Sequence, residues 1–181
     1  MRRKIVAAAG LVMSAGMVWQ ASYATFDDSI TNPGNSWETG AVTLTDNANG
    51  AALFAGYGTN LPPGTAPSRC IEVTYGGDVT ADVRLYLARL DDYGQELDTL
   101  LTMKVELGSG SSCASPGTWT PIFNTTLRAM PGDWASGLGL WAPDGSAKET
   151  HPYRFTPAIA ADNAVQGDRV SADFVWEARS R

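Results

Sequence analysis

The chain has 181 residues, with 13 Lys and Arg against 19 Asp and Glu, a formal net charge of −6. An acidic surface repels phosphate backbones and anionic lipid, which argues against binding nucleic acid or a membrane surface. A single histidine, His151, two cysteines and the absence of any C-x-x-C spacing argue against a zinc site.

The first element is a leader. Arg2, Arg3 and Lys4 make a compact positive start, and no charge follows from Ile5 to Trp19. Ser22-Tyr23-Ala24 then sets small residues at the two positions a signal peptidase tests. This pattern predicts a signal peptide over residues 1–24, cut between Ala24 and Thr25. The alternative, an uncut anchor, needs roughly 20 apolar residues, and this run is shorter and broken at Gln20. The pair Arg2-Arg3 does not decide between the Sec and twin-arginine routes.

Removing the leader takes away three basic residues and no acidic ones. Ten positive side chains then face 19 negative ones, a formal charge of −9. The remaining 157 residues suit a single domain, 25–181, since domains commonly hold about 100–200 residues. No second apolar segment is long enough to span a bilayer. The expected product is therefore secreted and free of the membrane after cleavage.

The dominant period after the leader is two. Val42 and Leu44 open a strand that is expected to turn at Asn49-Gly50 and return through Ala52 to Ala55. Ile71, Val73 and Tyr75 alternate with Glu72 and Thr74. Val79, Ala81, Val83, Leu85 and Leu87 alternate with polar residues and Tyr86, after a turn at Gly76-Gly77-Asp78. Leu101, Met103, Val105 and Leu107 follow, and then Val170, Ala172, Phe174 and Trp176. Each pattern sends one face to a core and the other mostly to water. Asp91 to Leu97 and Thr125 to Met130 are expected to form short helical turns, the second stopped by Pro131-Gly132. Residues 108–118, rich in Gly and Ser, read as a loop. The fold class expected is all-β, an antiparallel jelly-roll-like β-sandwich with one or two short helices.

Cys70 and Cys113 are most simply a disulfide in an exported chain. Its closure would contribute about 4 kcal/mol in the chain-entropy view. Two free thiols or half of a metal site are the alternatives.

Catalytic patterns are scarce. His151 alone cannot supply the paired histidines of a metalloprotease helix, and it reads as an exposed or capping residue in a loop. There is no G-x-S-x-G elbow. Asp27-Asp28, Asp91-Asp92, Asp98, Asp162 and Asp168 supply enough carboxylates for a glycosidase pair, but adjacent loop acids are usually solvated. Asp46-Asn47-Ala48-Asn49-Gly50 lacks the alternating oxygen ligands of a calcium loop and reads as a turn. No cofactor is expected, and an acidic surface draws divalent cations only diffusely. Of the tryptophans, Trp37 and Trp176 lie in strand patterns and are expected in the core. Trp119, Trp134 and Trp141 suit either packing or stacking on a sugar. Asn124-Thr125-Thr126 fits a glycosylation sequon.

The start of the processed chain is the most specific feature. Ala24-Thr25-Phe26-Asp27-Asp28 leads through Asn35-Ser36-Trp37 to Thr39-Gly40-Ala41-Val42-Thr43-Leu44. With Leu61-Pro62-Pro63-Gly64, the strands Cys70–Tyr75 and Asp82–Tyr86, Tyr153-Arg154-Phe155-Thr156, and Gln166-Gly167 before Phe174-Val175-Trp176-Glu177-Ala178, this order resembles the TasA/camelysin-like family. Thr39 stands where that family commonly has Ala, and the likeness is weak from about Leu87 to Ala142. The resemblance implies a leader cut by a SipW-type signal peptidase and a jelly-roll sandwich. It also implies a role as a subunit of an extracellular fibre or biofilm matrix, with self-association or other matrix subunits as partners.

In such fibres the new N-terminus is donated as a strand to the next subunit. The candidate donor is Thr25, Phe26, Asp27, Asp28, Ser29 and Ile30, within an extended segment 25–36. Phe26 is its apolar anchor and Pro33-Gly34 its break. The alternative is a terminus that is disordered or paired within its own chain. Camelysins are described as metalloendopeptidases, but with one histidine no catalytic residue carries over and no enzyme is expected. A cell-surface carbohydrate-binding module is the third reading.

Overall fold

The structure is a computed structural model that describes residues 27–32, 35–36, 42–49, 51–54, 64–159 and 167–181, the first two segments by strand pairing alone. Among these residues the strands are β1 (Asp27–Asn32), β2 (Asn35–Ser36), β3 (Leu44–Asp46), β4 (Gly64–Thr65), β5 (Arg69–Tyr75) and β6 (Ala81–Asp91). They continue with β7 (Leu101–Gly108), β8 (Trp119–Thr126), β9 (Leu138–Trp141), β10 (Glu149–Ile159) and β11 (Ser171–Ser180).

One sheet runs β2-β1-β11-β6-β9 and the other β3-β5-β10-β7-β8, with β4 added to β10. The paired strands are antiparallel throughout. The eight main strands, four in each sheet, β1-β11-β6-β9 against β5-β10-β7-β8, follow the double-sheet jelly-roll arrangement. The expected all-β sandwich is the observed one.

The core lies between the sheets, where the period-two residues meet. Ile71, Val73 and Tyr75 of β5 and Ala81, Val83 and Leu85 of β6 are fully buried. Aromatic rings bridge the two layers. Phe155 of β10 lies 4.8 Å from Phe174 and 6.0 Å from Trp176 of β11, and Tyr153 meets Trp176 edge-on at 5.4 Å. Burying one such ring contributes about 1.5–3 kcal/mol.

Several expectations change. Leu44 to Asp46 pair with β5, and residues 51–54 form no returning strand, so the turn at Asn49 (φ 50°) does not close a hairpin. Asn47 instead binds the neighbour strand, accepting from the Glu72 backbone N–H at 3.0 Å. Gly76-Gly77-Asp78 does separate two strands, but β5 and β6 belong to opposite sheets, so it carries the chain across the sandwich.

The first helical turn is displaced to Leu97–Leu100. Tyr93 (φ 53°) and Gly94 (φ 74°) sit in left-handed backbone, which a right-handed helix cannot include. The Asp91 and Asp92 carboxylates hold that bend by accepting from the Tyr93 and Gly94 N–H groups, each at 2.9 Å. The second turn shrinks to a 3-10 turn, Leu127–Ala129, because Thr125 and Thr126 end β8.

Truncating Phe155 to Ala empties the meeting point of both sheets. The expected loss is about 3–5 kcal/mol of unfolding free energy, measured by denaturant titration; a loss under about 1 kcal/mol would contradict this packing.

Candidate functional site

The expected donor segment begins outside the described residues, as do the cleavage residues Ala24 and Thr25, with Phe26. Asp27, Asp28, Ser29 and Ile30 lie in β1, which pairs with β11 of the same chain over six residues, from Asp27 opposite Arg179 to Asn32 opposite Phe174. Among the described residues the sheet continues beyond β1 only as the two-residue β2. The other edge of β11 pairs with β6 over almost its full length. Self-pairing, one of the two fates considered for this segment, is thus the arrangement of the single chain.

β11 also departs from simple alternation. Its inward residues Phe174, Trp176 and Ala178 are buried, but so are the outward Val175 and Glu177. The loop after the 3-10 turn packs on this outward face at Arg84 and Arg179. There the Asp133 carboxylate accepts from the Ser136 N–H at 2.9 Å and from its hydroxyl at 2.8 Å, contacts that hold the Asp133 carboxyl below the usual range. The loop lays Trp134 over the sheet, with Arg179 Cζ 4.8 Å and Arg84 Cζ 5.5 Å from its ring. Arg84 also donates to the Ala135 carbonyl at 2.8 Å. Beneath them Glu177 accepts from the Tyr86 hydroxyl at 2.7 Å and from Arg179 Nε at 2.6 Å. Burial, and then the Glu177 carboxylate, push the Tyr86 hydroxyl far above its ordinary titration range, so it acts as a donor here.

The opposite outer face carries a second cluster. Cys70 and Cys113 form the expected disulfide, which ties the 109–118 loop to β5, and the Cys113 N–H donates to Glu72 at 2.7 Å. Gly110 is packed against the Ser115 carbonyl and Pro116, where a Cβ has no room. Nearby, Glu106 is buried between Lys104 and Arg154, at 2.7 Å from each. Arg154 in turn stacks on Trp119, 4.5 Å from the ring centre. Burial alone would push the Glu106 carboxyl up. Its hydrogen bonds to Lys104 and Arg154 outweigh that and hold it below the usual carboxylate range.

The remaining candidates fall into structural places. His151 lies in β10, not in a loop, because Tyr153 and Phe155 carry the strand pattern back through it. Its Nδ1 is 3.1 Å from the Gly108 carbonyl and its Nε2 2.9 Å from Glu149, and its ring packs on Trp141 at 4.6 Å. Trp176 is core, as expected; Trp141 joins it and donates to the Tyr153 hydroxyl at 2.8 Å. Trp37 and Asp162 lie outside the described residues. Trp119 and Trp134 are half-buried, each with a guanidinium against its ring.

Asp98 is buried and receives Arg128 at 2.9 Å, which also reaches Asp92 at 2.9 Å. Asp46 accepts from the Ala48 N–H at 2.7 Å, the turn geometry expected there. Asn124 is exposed on β8. Among the described residues no three His, Cys, Asp or Glu side chains are grouped to hold a metal ion, and no helix is long and apolar enough to cross a membrane.

No family model matches the chain, and no curated protein matches it. Among solved structures, a chitosan-binding module 1 derived from a chitosanase/glucanase of Paenibacillus sp. IK-5 is similar over 78% of this chain and 96% of that one. The identity is 10% and the TM-score 0.25.

The Glu106 cluster sets an acid limit. A carboxyl held low in the folded chain contributes stability that is present above its unfolded value, about 4.3, and lost as pH falls through the lower folded value. Denaturant midpoints should therefore fall below about pH 4.5. Glu106→Gln should lower the midpoint at pH 7 and flatten that acid decline. An unchanged decline would mean that other carboxylates set it.

Proposed function

We propose that this chain is an exported structural protein whose copies join end to end in an extracellular matrix by exchanging β1. One observation carries the reading. The strand that follows the expected cut is the last long strand on its side of the sheet, hydrogen-bonded along six residues to β11 and covered beyond only by β2.

If β1 leaves, β11 presents a row of unpaired backbone groups that an extended strand can satisfy. The β1 of a second copy offers the same residues in the same register, so exchange in trans replaces like with like at low cost. Donation in one direction is a heterologous contact. Such contacts make open filaments when their rotation does not close. Cleavage after Ala24 frees the strand from the leader, which couples export to assembly.

The resemblance to the TasA/camelysin-like family points the same way, and the disulfide suits an oxidising, extracellular setting. A sugar-stacking surface has less support, since Trp119 and Trp134 already carry guanidinium partners. The reading assigns no catalytic residue and needs no cofactor.

Protein beginning at Thr25 should form filaments visible by negative-stain microscopy. An excess of a peptide spanning residues 25–36 should occupy vacated grooves and stop growth. Filaments that grow unchanged beside the peptide, or a mature chain that stays monomeric, would overturn the proposal.

A further inference from the structure

The exchange needs a register, and the outward face of β11 contains a means of choosing one. This step rests on the exchange reading above. Arg179 and Glu177 stand two residues apart on β11, at the positions opposite Asp27 and Ser29 of β1. Arg179 is a positioned charge. Its Nε donates to Glu177 at 2.6 Å, its guanidinium lies against Trp134 at 4.8 Å, and Glu177 is itself held by Tyr86 at 2.7 Å. Five N–H donors allow a guanidinium to serve Glu177 and a second acceptor together. On the far side Asp82, opposite Arg179 in β6, has Arg181 as its partner at 3.2 Å.

We infer that Arg179 and Glu177 select the strand that seats beside β11, so that the groove takes the N-terminal strand of a second copy only in the register that sets Asp27 opposite Arg179. A slip of one residue turns every side chain to the other face, and burial already opposes it: Thr31 would fall opposite the fully buried Trp176. A slip of two residues keeps the faces, so hydrophobic patterning does not oppose it. Charge does. Slipping one way places Ser29 opposite Arg179 and carries Asp27 past the end of β11 to Arg181, which Asp82 already engages at 3.2 Å. Slipping the other way places Asp27 opposite Glu177, a like-charge pair. The two charges on β11 therefore repel one face-preserving error and disfavour the other, in which Asp27 exchanges Arg179 for an arginine already paired with Asp82. They also define the partner as an extended strand with a carboxylate at that position.

Charge exchange tests this in chains beginning at Thr25. Asp27→Lys alone, and Arg179→Glu alone, should each assemble about fivefold or more slowly than wild type, because an opposite-charge cross-strand pair becomes a like-charge pair. Mixed in equal amounts, the two variants should regain assembly, since each strand then meets a groove of opposite charge. Arg179→Gln, which adds no repulsion toward Glu177, should also slow assembly. Within one chain, D27K/R179E should recover thermal stability that the single variants lose. Single variants that assemble at the wild-type rate would overturn the register inference and leave the exchange reading standing. Filaments absent from wild type and mixture alike would overturn the exchange reading. The double variant still decides the register in that case, because a stability equal to the sum of the two single losses would overturn the pairing.

Discussion

β11 is occupied on every side. β1 and β6 bond its two edges, the aromatic core covers Phe174, Trp176 and Ala178, and Trp134 packs on the outward face against Arg179. A strand so enclosed must find partners for its polar groups within the protein, because an unpaired buried group costs about 1–3 kcal/mol, and Trp176 Nε1 is the exception, left without one among the described residues. The Tyr86–Glu177–Arg179 hydrogen bonds meet that requirement on the outward face. On one edge the six-residue pairing with β1 meets it.

Under the proposed exchange, that requirement would link stability to assembly. Whatever strand lies beside β11, its own or another copy's, must complete the same hydrogen bonds. In that reading β1 is both a structural part of the monomer and the strand to be exchanged. β2 adds only two residues outside it, so little must be undone. The other edge of the same sheet, β9, is short and has Leu140 half exposed, while β8 in the facing sheet carries Pro121 opposite Glu106 at a register shift. Proline lacks the N–H that a further strand would need, which blunts that edge.

The two outer faces follow the same logic with different residues. In each, a buried glutamate is held by an arginine that stacks on an indole: Glu177 with Arg179 and Trp134, Glu106 with Arg154 and Trp119. The carboxylate is screened from water by the ring, and the guanidinium neutralises it. These tryptophans thus act mainly as covers for charge, which is why neither stands as a bare aromatic platform. The disulfide adds a covalent tie over the Glu106 side, where the 109–118 loop has few apolar residues to hold it down.

Period-two alternation was enough to read the all-β sandwich and most of its inward residues from β5, β6, β7 and β11, because a strand repeats its environment every second residue. The cysteine pair was legible too, since two cysteines with no other metal ligands grouped near them in the sequence have one simple use. Local pattern could not say which strands pair. Leu44 to Asp46 chose β5 over a hairpin return, and Gly76 to Asp78 crossed between sheets, because hydrogen-bonding partners far apart in sequence decided both. Nor did it show that Val175 and Glu177 are covered, or that the helical turn begins only after Tyr93 and Gly94 have bent the chain. Sequence by itself determined β5, β6, β7 and β11 and their inward faces. Only the tertiary structure decided that β1 lies against β11, with Asp27 opposite Arg179, because register is a property of two strands together and neither carries it alone.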